Sequence, residues 1–97
     1  MMRADYDSRG DTIQIELERV DRIDYGDYET GAVVGILEGR PVYVDVISAR
    51  RGGVEEPLRA AAERYGLDAE ALIAAALAAL AAPDRPVTLD VGVRAAA

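Results

Sequence analysis

The spacing of apolar residues changes once along the chain, near Gly52 and Gly53, and no other feature of the sequence limits the possible folds as strongly. Before these glycines apolar residues recur at every second position, most clearly over 12–18, which is the period of a strand with one buried face. After them, over 54–65, the recurrence follows the period of an amphipathic helix. The chain therefore divides into a β-rich part and a helical part.

Turn-forming residues divide the β-rich part into four or five strands. The turn at 8–11 joins two strands into one hairpin, and the Gly-Pro turn at 38–41 joins two β-branched runs into a second. The segment 20–28 alternates less regularly than the others, and alternation resumes after the helical part. The predicted strands cover residues 3–7, 12–18, 20–28, 32–37, 42–47 and 86–93.

Two helices are predicted in the helical part. Gly66 stands where a left-handed C-cap would end the first helix, Asp68 can N-cap the second, and Pro83 stops it. This order of elements predicts the α+β class, with an antiparallel sheet of four to five strands from the first half plus a C-terminal strand, and two α-helices on one face.

The chain is predicted to be one domain, because its 97 residues fall within the usual domain size and contain no linker-like segment. Residues 1–51 form the β-rich part, 54–82 the helical pair and 86–93 the closing strand.

The composition removes most kinds of catalytic and metal chemistry. The chain has no Cys, His or Lys, which excludes thiolate and His-ligated zinc sites, Ser-His-Asp triads, Cys nucleophiles and Schiff bases. Asp5, Asp7, Gly10 and Glu16 approach the spacing of an EF-hand calcium loop, but Arg9 stands where an oxygen ligand belongs. We predict a strand hairpin there, and we expect no catalytic residue, cofactor or metal site.

The formal net charge of −7 indicates which partners to expect. An acidic surface repels nucleic-acid phosphate and anionic lipid, so we expect neither nucleic acid nor membrane as a partner. The longest uncharged run, 71–83, is too short to span a bilayer, and the first residues lack the apolar core of a signal peptide. The sequence therefore predicts a cytoplasmic protein that is suited to a basic partner.

The densest group of reactive side chains is the segment 24–29, which reads Asp-Tyr-Gly-Asp-Tyr-Glu. Carboxylates beside tyrosines can do acid–base work or receive a basic partner, and the third possibility is a solvated loop with half-packed rings. The candidate partner-contact residues are Asp24, Tyr25, Asp27 and Tyr28.

The second predicted helix has no polar side chain from Ala71 to Ala82. A helix that is apolar on every side is usually buried on every side, and a domain this small offers little to cover its back. The alternative is an exposed alanine face, which costs little. We predict a homo-oligomer, with a two-fold dimer favoured. The predicted interface residues are Leu72, Ala75, Ala78, Ala79 and Ala82.

The first half of the chain resembles a known family. Asp5-Tyr6-Asp7 before the alternating strand, and the Gly39 turn before a strand that ends at Ala49, are similar to the small bacterial family catalogued as domain of unknown function 2283. The resemblance covers about residues 5–49 and leaves out the helices and the final strand. It implies a compact β-rich bacterial domain with no established activity and no site residue to carry over.

Three functions remain open at this point. The leading hypothesis is a non-catalytic cytosolic bacterial interaction or accessory protein that self-associates through its Ala/Leu-rich helix. The second is an acidic inhibitor or antitoxin-like protein that masks a basic surface of an enzyme, with salt-sensitive binding. The third is a carboxylate-based enzyme, which should have a cleft holding carboxylates with raised pKa values.

Overall fold

A computed structural model describes residues 2–90, and it confirms the α+β class with an antiparallel sheet. The elements in chain order are β1 (Met2–Asp7), β2 (Thr12–Glu16), β3 (Tyr25–Asp27), β4 (Val33–Leu37), β5 (Arg40–Ile47), α1 (Ala49–Gly52), α2 (Glu55–Tyr65), α3 (Ala69–Ala81) and β6 (Val87–Leu89).

The six strands of the described residues form one antiparallel sheet in the order β3-β4-β5-β2-β1-β6. Both predicted hairpins, β1–β2 and β4–β5, are present, and they join where β2 pairs with β5. The segment 20–28 contributes only the three residues of β3. The predicted closing strand forms β6, while its last positions, 91–93, lie outside the described residues.

β6 pairs with β1 of its own chain, and the turn before it is fastened to the first hairpin. The Asp84 amide donates to the Tyr6 carbonyl at 2.8 Å. The Asp84 carboxylate accepts hydrogen bonds from the Ser8 amide at 2.9 Å and the Ser8 hydroxyl at 2.6 Å. The two bonds from Ser8 also hold the pKa of the Asp84 carboxyl below its usual range.

The core lies between one face of the sheet and the two longer helices. Alternation places Ile13, Ile15, Val44 and Val46 on this face, and each has 0–1% of its surface exposed. α3 packs on β1 and β2, while α2 packs on β5. The helices therefore cover one side of the sheet, as predicted, and leave the other side uncovered.

The predicted helix ends are confirmed, and the structure adds one short helix. Gly66 adopts a left-handed C-cap with φ 66°, and the Asp68 side chain accepts a hydrogen bond from the Ala71 amide. The unpredicted four-residue α1 is held by Asp11, whose Oδ1 accepts from the Arg50 amide at 2.8 Å. Within residues 2–90 none of the helices has the length and apolar character needed to cross a membrane.

Candidate functional site

No helix of residues 2–90 covers the side of the sheet turned away from α2 and α3, and the segment between β2 and β3 lies beside part of it. Side chains alternate along a strand, so the residues between the buried positions of β1, β2 and β5 all point to this side. We call this surface the open face. Its carboxylates outnumber its guanidinium groups by four to one on these three strands. The residues concerned are Arg3, Asp5, Asp7, Thr12, Gln14, Glu16, Tyr43, Asp45 and Ile47.

Asp45 has the most perturbed carboxyl group of the open face. Its cross-strand neighbours are Gln14 on β2 and Val33 on β4, and Asp5 follows Gln14 in the same row. Its Oδ1 atom is buried and has no hydrogen-bond partner among the described residues. Burial raises the pKa of Asp45 from 3.8 to about 6, with the Gln14 side chain opposing the rise and the charge of Asp5 adding to it.

The ring of Tyr43 lies flat on the open face above a glycine. A Cβ atom at Gly35 would lie 2.5 Å from the ring Cζ and 2.6 Å from Cδ2, so only glycine leaves room for the ring. The similar distances to neighbouring ring atoms indicate that the face of the ring meets the Gly35 backbone. Burial raises the pKa of the Tyr43 hydroxyl, and the charge of Asp45 adds to the rise.

The chain between β2 and β3 folds beside this ring and encloses a groove. The Leu17 amide donates to the Val42 carbonyl at 2.9 Å, and the Asp24 amide donates to the Ile36 carbonyl at 2.7 Å. These two bonds anchor both ends of the segment to the β4–β5 hairpin. The groove has a volume of about 290 Å³. Its lining includes Gln14, Glu16, Val20, Asp21, Ile23 and Tyr43.

Two of the groove's charged side chains are held by neighbours. Glu18 accepts two hydrogen bonds from Arg40, each of 2.8 Å, which raise the pKa of the Arg40 guanidinium. Arg22 donates to Asp24 at 2.7 Å.

Two other carboxylates of the groove have no ion-pair partner among the described residues. Among residues 2–90, Glu16 and Asp21 have no cationic group within 4.0 Å. Because the Arg22 guanidinium is already paired, the groove offers unpaired negative charge beside an aromatic ring.

The acidic tyrosine segment 24–29 does not form one surface. Asp27 faces α2 and is only 8% exposed, because alternate residues of β3 point to opposite sides of the sheet. Its Oδ2 accepts hydrogen bonds from the Tyr65 hydroxyl and, at 2.8 Å, from Arg64. The prediction of Asp27 as a partner contact is therefore wrong, because its carboxylate is used to pack β3 on α2.

The hydrogen bonds to Asp27 also change its acidity. The bond from Tyr65 lowers the pKa of the Asp27 carboxyl most, followed by the bond from the Glu29 amide. The other members of the segment remain accessible to a partner in different ways. Tyr25 is 58% and Tyr28 71% exposed, while Asp24 accepts a hydrogen bond from the Glu38 amide at 2.8 Å.

The predicted oligomer interface on α3 is corrected at three positions. Leu72, Ala75 and Ala79 have no exposed surface in the single chain, so they cannot touch a second copy. Alanine is small enough for the helix to approach the sheet closely, and β1, β2 and β6 cover this stripe from within the same chain. Ala78 and Ala82 are half-buried and keep some surface.

Sequence reasoning missed Asp45, Tyr43 and the groove. One signal was available, because Asp45 is the one charged residue in the β-branched run 42–47 and therefore marks an outward position. The loop that encloses the groove carried no such signal.

The calcium-like spacing falls on the β1–β2 hairpin. Asp5 and Glu16 sit on paired strands in different rows of the open face, and Asp7 accepts a hydrogen bond from the Arg9 amide at 3.0 Å. Across the described part of the chain no three His, Cys, Asp or Glu side chains are grouped so as to hold a metal ion.

Comparison with known proteins gives no relative: no family model, no curated protein and no solved structure matches the chain. The resemblance to the family of unknown function over about residues 5–49 stays a prediction. The function must therefore be inferred from the geometry of the open face and of the groove.

Proposed function

We propose that this chain is a non-catalytic binding protein whose open face masks a basic surface of a protein partner. The observation that carries the proposal is the charge of the uncovered side of the sheet, where four carboxylates stand against one guanidinium on β1, β2 and β5. Complementary charge steers association and selects the partner. A partner that carries Arg or Lys residues is therefore the one that this face attracts.

Some of the acids on the helical side are paired within the chain, which supports the choice of the open face. On the helical side, Arg59 contacts Glu55 at 3.0 Å and Glu70 at 2.8 Å, and Arg64 contacts Asp27 at 2.8 Å. Each of these three acids therefore has a cationic neighbour within the chain, although Arg59 is shared by two of them. By contrast, Asp5 of the open face has no cationic neighbour within 4.0 Å among the described residues.

The position of the perturbed carboxyl favours binding over catalysis. A carboxylate enzyme would hold a carboxyl of raised pKa inside its cleft, within reach of the substrate. Asp45 has such a pKa, but it lies beside the groove and does not line it. Its buried Oδ1 is closed to a substrate, because the atom has almost no accessible surface.

The proposal is tested with a basic peptide and two variants of equal charge. Asp5→Asn/Asp7→Asn removes two charges from the open face, and Glu56→Gln/Glu63→Gln removes two exposed charges from α2. Binding of a fluorescent hexa-arginine peptide is measured by anisotropy across a range of salt concentrations. We expect the open-face variant to weaken binding about tenfold at low salt and the α2 variant to change it by less than about threefold. Equal weakening by both variants would mean attraction by net charge alone and would refute the proposal.

A second candidate, self-association, is favoured by one exposed residue of α3. Leu77 is 55% exposed, and its neighbours Ala74 and Ala81 are exposed as well. An apolar side chain in this position is suited to contact with a second copy. In sedimentation velocity, Leu77→Glu should reduce association, whereas Arg9→Gln, which changes net charge by the same amount, should not. A wild-type protein that stays monomeric at high micromolar concentration contradicts self-association.

A further inference from the structure

We propose that the groove beside Tyr43 is the binding site for one arginine side chain of the protein partner. This inference rests on the proposed function, because it names the group that the partner presents to the open face. Three features of the groove carry it: an aromatic floor, unpaired carboxylates and apolar walls.

The aromatic floor of the groove is formed by Tyr43. One side of the ring lies against the Gly35 backbone, so the ring lies close to the sheet. Tyr43 is also part of the groove lining. A fixed aromatic face attracts a cation through its quadrupole, and the planar guanidinium of arginine stacks on it best.

The charges of the groove are arranged for a cation from outside the chain. Glu16 and Asp21 are unpaired among residues 2–90, as described above, and both line the groove. The groove's own cation, Arg22, already donates to Asp24 at 2.7 Å. An anionic ligand would therefore meet repulsion, while a guanidinium can form charge-assisted hydrogen bonds to these carboxylates.

The remaining walls suit the hydrocarbon part of the same side chain. Val20 and Ile23 line the groove and are half-buried. Arginine buries its methylene stem against apolar surface while its charged end binds elsewhere. The volume of about 290 Å³ lies just below the usual range for small-molecule sites, which fits one long side chain. A purely apolar ligand would desolvate the carboxylates without pairing them.

Arginine and lysine peptides of equal charge separate this inference from general electrostatic attraction. We expect hexa-arginine to bind the wild-type protein about threefold to fivefold more tightly than hexa-lysine, since only the guanidinium combines stacking with forked hydrogen bonds. Tyr43→Leu should bring this ratio to about one while leaving the affinity for hexa-lysine unchanged. Tyr28→Leu is the matched control, because Tyr28 also lies on the open face, above Gly26, but does not line the groove. It should leave the ratio unchanged.

The possible results distinguish the two proposals. Because Tyr43→Leu removes a packed ring, its folding is checked by circular dichroism, and Asp21→Asn provides a second test at an exposed position. Asp21→Asn should weaken hexa-arginine binding about threefold or more. The proposed arginine site is refuted if wild-type protein binds both peptides equally. It is also refuted if Tyr43→Leu folds and keeps the wild-type ratio of affinities for hexa-arginine and hexa-lysine. The proposed function fails separately if Asp5→Asn/Asp7→Asn binds like its α2 control.

Discussion

The partly buried carboxyl of Asp45, whose Oδ1 has no hydrogen-bond partner among the described residues, should make the wild-type protein less stable at neutral pH than a variant with an amide in its place. Its pKa is raised from 3.8 to about 6, a shift of roughly two units. Each unit corresponds to about 1.4 kcal/mol, so a rise of this size corresponds to about 3 kcal/mol before screening is considered. Part of the carboxyl still contacts water, which screens its charge. We therefore expect Asp45→Asn to stabilise the fold by about 1–2 kcal/mol at pH 8, which raises Tm by roughly 5–10 °C.

The effect should depend on pH in a direction set by the sign of the shift. The pKa of Asp45 is higher in the folded than in the unfolded chain, so between pH 3.8 and about 6 the folded chain binds more protons. The free energy of unfolding contributed by this group therefore falls as pH rises through that window. The difference in free energy of unfolding between wild type and Asp45→Asn should be large above pH 7 and should decrease as pH falls toward 4.

The assay is thermal and urea unfolding of both proteins from pH 4 to pH 8. Glu63→Gln makes the same change in net charge at an exposed position of α2 and should alter stability by less than about 0.5 kcal/mol at each pH. Asp5→Asn removes a charge that adds to the pKa of Asp45, so it should give a smaller stabilisation of the same sign. A difference in stability between wild type and Asp45→Asn that stays the same from pH 4 to pH 8 would refute the reasoning.

Three further predictions test the packing. Tyr65→Phe removes the hydroxyl that lowers the pKa of Asp27. We expect the free energy of unfolding to fall by about 1 kcal/mol and acid unfolding to occur at a higher pH. An unchanged midpoint of acid unfolding would contradict this. Gly35→Ala should lower the free energy of unfolding, measured with urea, by about 1–3 kcal/mol, and by less when Tyr43 is also replaced by Leu. An equal decrease in both backgrounds would mean that the ring does not lie over Gly35. Leu72→Ala should cost about 2–5 kcal/mol because Leu72 is fully buried, and a loss below about 1 kcal/mol would place it outside the core.

Local patterns in the sequence were sufficient to predict most of the fold. The hairpins followed from alternation on both sides of short turns, and the end of α2 followed from Gly66 because few other residues adopt a positive φ there. The orientation of α3 could not be predicted in the same way. All of its residues from Ala71 onward are apolar, so no polar stripe marks the side away from the sheet.

The candidate site was harder to predict because it depends on contacts between distant parts of the chain. The groove requires the segment after β2 to fold beside Tyr43, and the ring requires a glycine on the neighbouring strand. Neither requirement appears in a local window of sequence. The inward position of Asp27 was within reach, since alternation places Gly26 and Asp27 on opposite sides of the sheet once β3 is recognised.

The pairing of β1 with β6 determines when the fold can be completed during synthesis. Met2 pairs with Leu89 and Ala4 with Val87, so this edge of β1 is paired only after β6 has been made. The β1–β2 hairpin can form early because its partners are close in sequence. Until Asp84 and β6 emerge from the ribosome, the outer edge of β1 exposes unpaired amide and carbonyl groups that can pair with strands of other nascent chains. Chains that stall within α3 therefore keep this edge exposed, and the segment after α3 protects the edge as well as completing the sheet.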